Sequence, residues 1–366
     1  MTDPAHIPSL QKVVALPNPH GLHNAAHDLI TRQAQARRIA DLLGLPFSPG
    51  GKTGDAYLVP ADTLTQAEAL HHGVTRANQL YGGVVPFAFV ATKAVSHPLL
   101  HPAATAPHGW NPGLGVRLAA STLSGITAYA EPDARAAARL LLAQGPIRIK
   151  DVGATAGLGQ TVARTVDEID AALAERDPQV IAEDGIVIEE NLVAPRTLSV
   201  GMTEIGDARI AYWGVQRLVR APSGEEVYGG SDLHVLQGDY EALLAVELPD
   251  EARTAIALAR SYETEVFAAY PGLYASRRNY DVIIGEGADG RPRAGVLEQS
   301  WRIGGASGAE IAALEAFQAD RTPRLVRSET MEIRSLDAPL PEGATLYYRD
   351  HDPAAGPLTK YARVVR

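Results

Sequence analysis

The stretch RIKDVGATAGLGQTV, residues 148–162, limits the fold more than any other part of the chain. Lys150 ends a strand pattern, glycines follow at Gly153, Gly157 and Gly159, and the QTVAR that comes next is again strand-like. A glycine loop between two strands is a hairpin. It is not a Walker loop, which ends in Gly-Lys-Ser/Thr and opens directly into a helix. Nor does a GxGxxG sequence follow the first strand, so no dinucleotide fingerprint is evident. Glycines let backbone N–H groups turn toward an anion, and Lys150 adds a point charge beside them. That is phosphate chemistry, although a surface hairpin with an incidental lysine stays open on this stretch alone.

The remaining organisation fits a chain of 366 residues, too long for one ordinary core. Residues 1–95 alternate strand and helix patterns: KVVALP at 12–17, a helix over 27–44 closed by Gly44, DAYLVPA at 55–61, and a helix opened by Thr65 and Glu68 at capping-box spacing. This predicts a small parallel α/β layer. Residues 96–184 hold a Pro/His/Gly-rich connection and then the unit carrying the glycine hairpin. Residues 185–366 read as a larger, mainly antiparallel α+β body. Within it Ser307 and Glu310 have capping-box spacing before a helix, and the last 40 or so residues read as strands.

Composition narrows the function classes. Apolar residues make up 46% and charged residues 21%, ordinary for a folded globule. Acidic residues number 43 against 33 basic ones, which argues against a broad nucleic-acid surface and leaves room for a local phosphate pocket. The absence of cysteine removes disulfides, thiolate metal sites and a Cys nucleophile. The N-terminal sequence has no apolar signal region and no uncharged run approaches a membrane span, so the reading is cytoplasmic, with no membrane or nucleic-acid partner and with homo-oligomerisation left open.

Three further constellations carry chemistry. In GIVIEENL, Glu189 and Glu190 end an apolar strand, where carboxylates accept hydrogen bonds from an amino group or a ribose, or simply meet solvent. Asp281 and Glu298 fall on neighbouring strands of one predicted hairpin. Facing carboxylates repel unless a cation sits between them, and magnesium favours such oxygens; pairing with Arg277, Arg278 or Arg302 is the alternative. Alternation also puts Glu298, Ser300 and Arg302 on one strand face, a floor suited to a polyanion and its cation. Finally, Gln216, Arg217 and Arg220 suggest a carboxylate pocket, or a surface hairpin. The histidines have no convincing ligand set, and no G-x-S-x-G elbow is present.

Lysine strand, glycine hairpin, helix, double-Glu strand, then Asp and Glu on a late hairpin followed by WRIGG: this order resembles the ATP-grasp superfamily over roughly residues 80–320. ASRRNYDV, VLEQSWRIGGASGAE and LTKYARVV more closely resemble a bacterial ATP-grasp-like family, a domain of unknown function. The resemblance implies an ATP-grasp fold with a pre-ATP-grasp-like first domain, a small lid and a larger body. It implies ATP and Mg2+ as cofactors. Lys150 and Lys93 would contact the nucleotide, Gly153, Gly157 and Gly159 would form the flap, and Glu189, Glu190, Asn191 and Leu192 would be the adenine hinge. Asp281, Glu298 and Ser300 would hold magnesium, and Arg302 would face the reacting group. Ser300 stands where the family pattern Glu-x-Asn has asparagine. The activity implied is a ligase joining a small-molecule carboxylate to an amine or other nucleophile through an acyl phosphate. A small-molecule kinase and a non-catalytic nucleotide-binding protein are the alternatives.

Overall fold

The computed structural model describes residues 10–18, 25–154, 158–220, 226–322, 324–353 and 355–365. Four sheets organise them. The first is parallel, in the order Phe47–Ser48, Lys12–Leu16, Ala56–Pro60. Its strands are nearly continuous apolar runs, as a parallel sheet covered on both faces requires. Helix Ala26–Leu43 packs beside it and stops at Gly44, whose φ of +66° is the left-handed conformation glycine adopts at no steric cost. A three-stranded splice, Tyr274–Ala275, Gly83–Val85 and Leu64–Thr65, ties this layer to the body.

The second unit is the antiparallel sheet Gly125–Ala128, Ile186–Glu190, Ile147–Asp151, Gln160–Ala163. Ile147, Ile149, Ile186 and Ile188 point one way and pack on helices Glu131–Leu142 and Val166–Ala174. Alternation therefore turns Arg148, Lys150 and Glu189 to the other face. This unit, labelled the lid unit here, carries the two strands that flank the glycine loop.

The body is an eight-stranded antiparallel sheet. Its order is Pro292–Ser300, Arg277–Glu286, Val193–Ile205, Ala208–Arg220, Glu226–Gln237, Leu325–Ile333, Gly356–Val365, Thr345–Asp352. The long helix Asp250–Ala269 buries Ala252, Ala255, Ile256, Ala259, Tyr262 and Val266, a helical stripe, against Leu198, Val200, Val282 and Val296 on one face. Helix Ser307–Ala319 covers the opposite face together with helix Ala26–Leu43. No helix among the described residues is long and apolar enough to cross a membrane.

One expectation fails informatively. Ser307 and Glu310 do not form a capping box: Ala306 precedes the helix without a side-chain cap, and Ser307 instead accepts a hydrogen bond from the Gly304 N–H at 3.0 Å. Glu310 is turned into the core, fully buried. It receives the Arg277 guanidinium at 2.7 Å, the Tyr81 hydroxyl at 2.5 Å, the Thr203 hydroxyl at 2.9 Å, and lies 2.7 Å from the Tyr212 hydroxyl. Gly201 makes this possible, because a Cβ there would overlap the Tyr212 hydroxyl at 2.2 Å. Removing one partner of a buried pair strands the other charge. Glu310→Ala should therefore lower the unfolding free energy by about 3–5 kcal/mol. Urea unfolding measures it, and Arg277→Leu combined with Glu310→Leu should recover much of the loss.

Candidate active site

The lid side of the site is built around Glu189. Its position on the central strand places it opposite Arg148 and Gly125. It is 2% exposed and ion-paired with the equally buried Lys150, and His97 Nε2 lies 3.4 Å from its second oxygen. The His97 ring lies over Gly125, where a Cβ would come within 2.6 Å of it. Burial works to raise the Glu189 pKa, but the Lys150 charge and the His97 contact outweigh it and hold the carboxyl at about 2. The two glutamates separate: Glu190 accepts the Ser124 N–H at 3.1 Å and approaches Arg293 at 3.5 Å, in a cleft of about 170 Å3 that Pro146 and Asn191 also line. Asn191 accepts from Arg148 at 2.8 Å, and Leu192 is buried against Gly285.

The hairpin closes through Asp151 N–H to Gly159 O at 2.9 Å. Gly159 has φ +63°, and a Cβ there would strike Ala154 at 2.5 Å, so the turn requires glycine. A Cβ at Gly153 would make only an ordinary contact with Asp184 Oδ2 at 3.8 Å, and Gly157 lies outside the described residues. Lys93, in a 3-10 turn before the lid, donates to the Ala154 carbonyl at 2.6 Å and pairs with Glu298 Oε2 at 3.0 Å.

The body side is the hairpin Arg277–Glu286/Pro292–Ser300, where Asp281 lies directly opposite Glu298 and Asn279 opposite Ser300. Asp281 Oδ1 accepts from Gln216 at 2.7 Å and Asn279 at 3.1 Å. Burial and the facing Glu298 charge raise the Asp281 carboxyl to about 6 against the pull of those two hydrogen bonds. The Ser300 hydroxyl is engaged by Arg277 at 3.3 Å. Arg302 is not on the strand face with Glu298 and Ser300, because the strand ends at Ser300. It turns toward the first layer, with Nε 3.9 Å from Asp62. The pair Gln216 and Arg217 is likewise split. Successive strand residues face opposite sides. Gln216 therefore joins Asp281, while Arg217 pairs on the outer face with Asp232 at 3.2 Å and Glu329 at 3.4 Å.

A family model described as "Protein of unknown function (DUF3182)" matches residues 15–362. The chain belongs to that family. No curated protein matches the DUF3182 sequence. Among solved structures, the biotin carboxylase domain of Hydrogenobacter thermophilus 2-oxoglutarate carboxylase is 12% identical with a TM-score of 0.53, covering 97% of this chain and 81% of that one. Biotin carboxylase from Campylobacter jejuni is 10% identical with a TM-score of 0.52, covering 97% and 87%. Phosphoribosylamine–glycine ligase from Thermotoga maritima is 16% identical with a TM-score of 0.51, covering 96% and 90%. These likenesses establish the fold: the DUF3182 chain has the ATP-grasp fold.

Sequence reasoning missed His97 and Asn279. His97 sits in the connection before the lid and gives no local signal. Asn279 was legible in principle, being two residues before Asp281 on the same strand and hence on its face.

The Glu189 contacts make a pH prediction. A carboxyl held at about 2 instead of its ordinary 4.5 contributes stability that is complete above 4.5 and is lost as pH falls from 4.5 toward 2. Melting temperatures of Glu189→Gln should accordingly fall less than those of the parent across that window, and should lie below the parent at neutral pH, where Lys150 loses its counter-charge.

Proposed function

We propose that this chain is an ATP-dependent ligase that joins a small-molecule carboxylate to an amine or other nucleophile and releases ADP and phosphate. One observation carries the reading. The Lys93 ammonium touches the flap carbonyl of Ala154 and the carboxylate of Glu298 together, so a single cation spans the nucleotide cover and the candidate metal ligands.

The charges there are matched for exchange. Lys93–Glu298 and Lys150–Glu189 are two cation–carboxylate pairs, and Lys93 also touches the Ala154 carbonyl of the hairpin that Lys150 leads into. A polyphosphate would take both ammonium groups, and a divalent ion would take the carboxylates of Asp281 and Glu298. Those two residues fit magnesium, because they face each other and the repulsion between them already raises the Asp281 pKa. Among the described residues no three His, Cys, Asp or Glu side chains converge into a metal site, so phosphate oxygens and water would complete the shell. Bound there, magnesium would neutralise charge on the transferring phosphoryl group.

The chain's own residues then position the reaction. Lys150 and Lys93 hold phosphate oxygens, Gly153 and Gly159 keep the flap backbone close, and Gln216 with Asn279 fixes Asp281. An oxygen of the acid attacks the γ-phosphorus, the bond to the bridging oxygen breaks, and ADP leaves with that electron pair. Arg302 faces the acyl phosphate. The nucleophile's lone pair attacks the acyl carbon, its proton is released, and phosphate departs. Positioning and charge neutralisation supply most of the acceleration.

Calorimetric titration of MgATP into the protein tests the nucleotide half, with Lys150→Ala expected to weaken binding by about tenfold or more. In a screen of acid-plus-amine pairs, Glu298→Ala should lower ADP release by about a hundredfold or more. Unchanged turnover in that variant removes the metal assignment. A phosphorylated acceptor in place of free phosphate makes the enzyme a kinase.

A further inference from the structure

Helix Ala26–Leu43 lays Arg32 against the body one turn beyond Asp28. The side chain is only partly buried as a whole, yet both terminal nitrogens, Nη1 and Nη2, are shut off from solvent and have no hydrogen-bond partner among the described residues. A guanidinium is a fixed fork of donors that stays charged at every physiological pH. Burying its two ends without a hydrogen-bond acceptor is costly, and the charges of Asp28 and Asp62 offset that only at a distance.

The carboxylates nearby are already engaged. Asp28 pairs with Lys360 at 3.1 Å and His27 at 3.0 Å. Asp62 accepts from Asn18 at 3.1 Å and faces Arg302 at 3.9 Å. Next to Asp62, the Thr63 hydroxyl donates to the Trp301 carbonyl at 3.1 Å, fastening this loop to the segment that carries Arg302. Arg32 feels these groups: its burial lowers its pKa most, Asp28 opposes this, and Arg302 lowers it further while Asp62 raises it. Two guanidinium groups therefore act on each other at the seam between the first layer and the body; Asp62 is the ion-pair partner of Arg302, and among the described residues Arg32 has no ion pair of its own.

We propose that Arg32 and Arg302 together receive a small acid that bears two anionic groups. Arg302, next to Ser300 and Gly304, faces the group that reacts, and Arg32 holds the distal carboxylate or phosphate. The Arg302 half rests on the ligase reading; the anion site at Arg32 does not. Arg32 is thus a specificity residue, and the substrate class is a dicarboxylate or a phosphorylated carboxylic acid.

The test titrates the full chain, with and without MgATP, with glutarate, 3-phosphoglycerate and butyrate, and follows melting temperature and heat. The two dianions should bind at least about tenfold tighter than butyrate, and the difference between them tells carboxylate from phosphate. Arg32→Met should erase the preference for dianions, keep the parental affinity for MgATP, and melt above the parent without ligand, because an unmatched buried charge is gone. Arg32→Lys, which keeps the charge and loses the fork, should weaken the preference and serves if the Met variant does not fold. Butyrate binding as tightly as the dianions, no saturable binding of either dianion, an Arg32→Met variant that keeps the preference, or one that melts below the parent would each overturn the proposal. Its failure is separable from that of the ligase reading. MgATP binding without dianion binding removes only this site; Arg32-dependent dianion binding without MgATP binding removes only the ligase.

Discussion

The buried carboxylate of Glu310 is the point from which the candidate site hangs. A charge with no access to water must be matched by donors at close range, and here the donors come from distant parts of the chain: Tyr81 from the first layer, Thr203 and Tyr212 from central strands, and Arg277 from the strand that leads to Asp281. Arg277 then spends its remaining donor on the carbonyls of Ser300 and Arg302, at 3.0 and 2.7 Å. One network therefore fixes where the Glu298 strand ends and where Arg302 begins. Tyr212 lies 2.9 Å from the Asn279 amide oxygen, which leaves the Asn279 NH2 aimed at Asp281. The network reaches the candidate metal ligand Ser300 through Arg277, which donates both to Glu310 and, at 3.3 Å, to the Ser300 hydroxyl, with no loop between them.

The lid meets the body through mixed contacts: Tyr129 packs through Trp110 and Phe89 toward Tyr270, and an ionic link runs through Lys93. Lys93 holds the hairpin through a single close carbonyl and holds the body through Glu298. Both contacts are of a kind that phosphate oxygens and a divalent ion replace without repacking apolar side chains. Ligand entry at such a site exchanges partners among charges instead of creating or burying new ones, and so avoids much of the desolvation cost that an empty charged cleft would impose. Each unit has a core under its own helices, and a smaller apolar cluster of Ala94, Tyr129, Val152 and Val187 lies where they meet.

The parts of the fold legible in the sequence were those set by local rules. The predicted hairpin put Asp281 and Glu298 on neighbouring strands, where they pair directly. Gly44 closed its helix as expected. Failures came where tertiary contacts overrode a local pattern. Ser307-x-x-Glu310 has the spacing of a capping box, but a carboxylate offered four buried donors is better satisfied inside than at its own helix end. Arg302 continued an alternation on paper, but the chain leaves the sheet after Ser300, so parity no longer governs its direction. Gln216 and Arg217 are adjacent in sequence and opposed in space, for the same reason that Glu189 and Glu190 are. Arg32 gave no signal at all: on an amphipathic helix it reads as a surface cation, and only the packing of that helix on the body shows its terminal nitrogens enclosed.

The residue between Glu298 and Ser300 explains why Lys93 is where it is. Gln299 points away from the site and is buried, donating to the carbonyls of Val90 and Thr92 at 2.7 and 2.9 Å and accepting from Tyr262 at 2.7 Å. Its amide is fully used, so it is not a spare polar group but a clamp on the turn that presents Lys93. Adjacent strand residues face opposite sides, so the same backbone that sends Glu298 into the cleft sends Gln299 to the turn behind it. The carboxylate and the lysine that pairs with it are thereby positioned by neighbouring side chains of one strand. Any shift of that strand would move both partners together and preserve their separation. The Lys93–Glu298 contact is in this sense built into the strand, and it ties the glycine hairpin to the Asp281–Glu298 side of the candidate site.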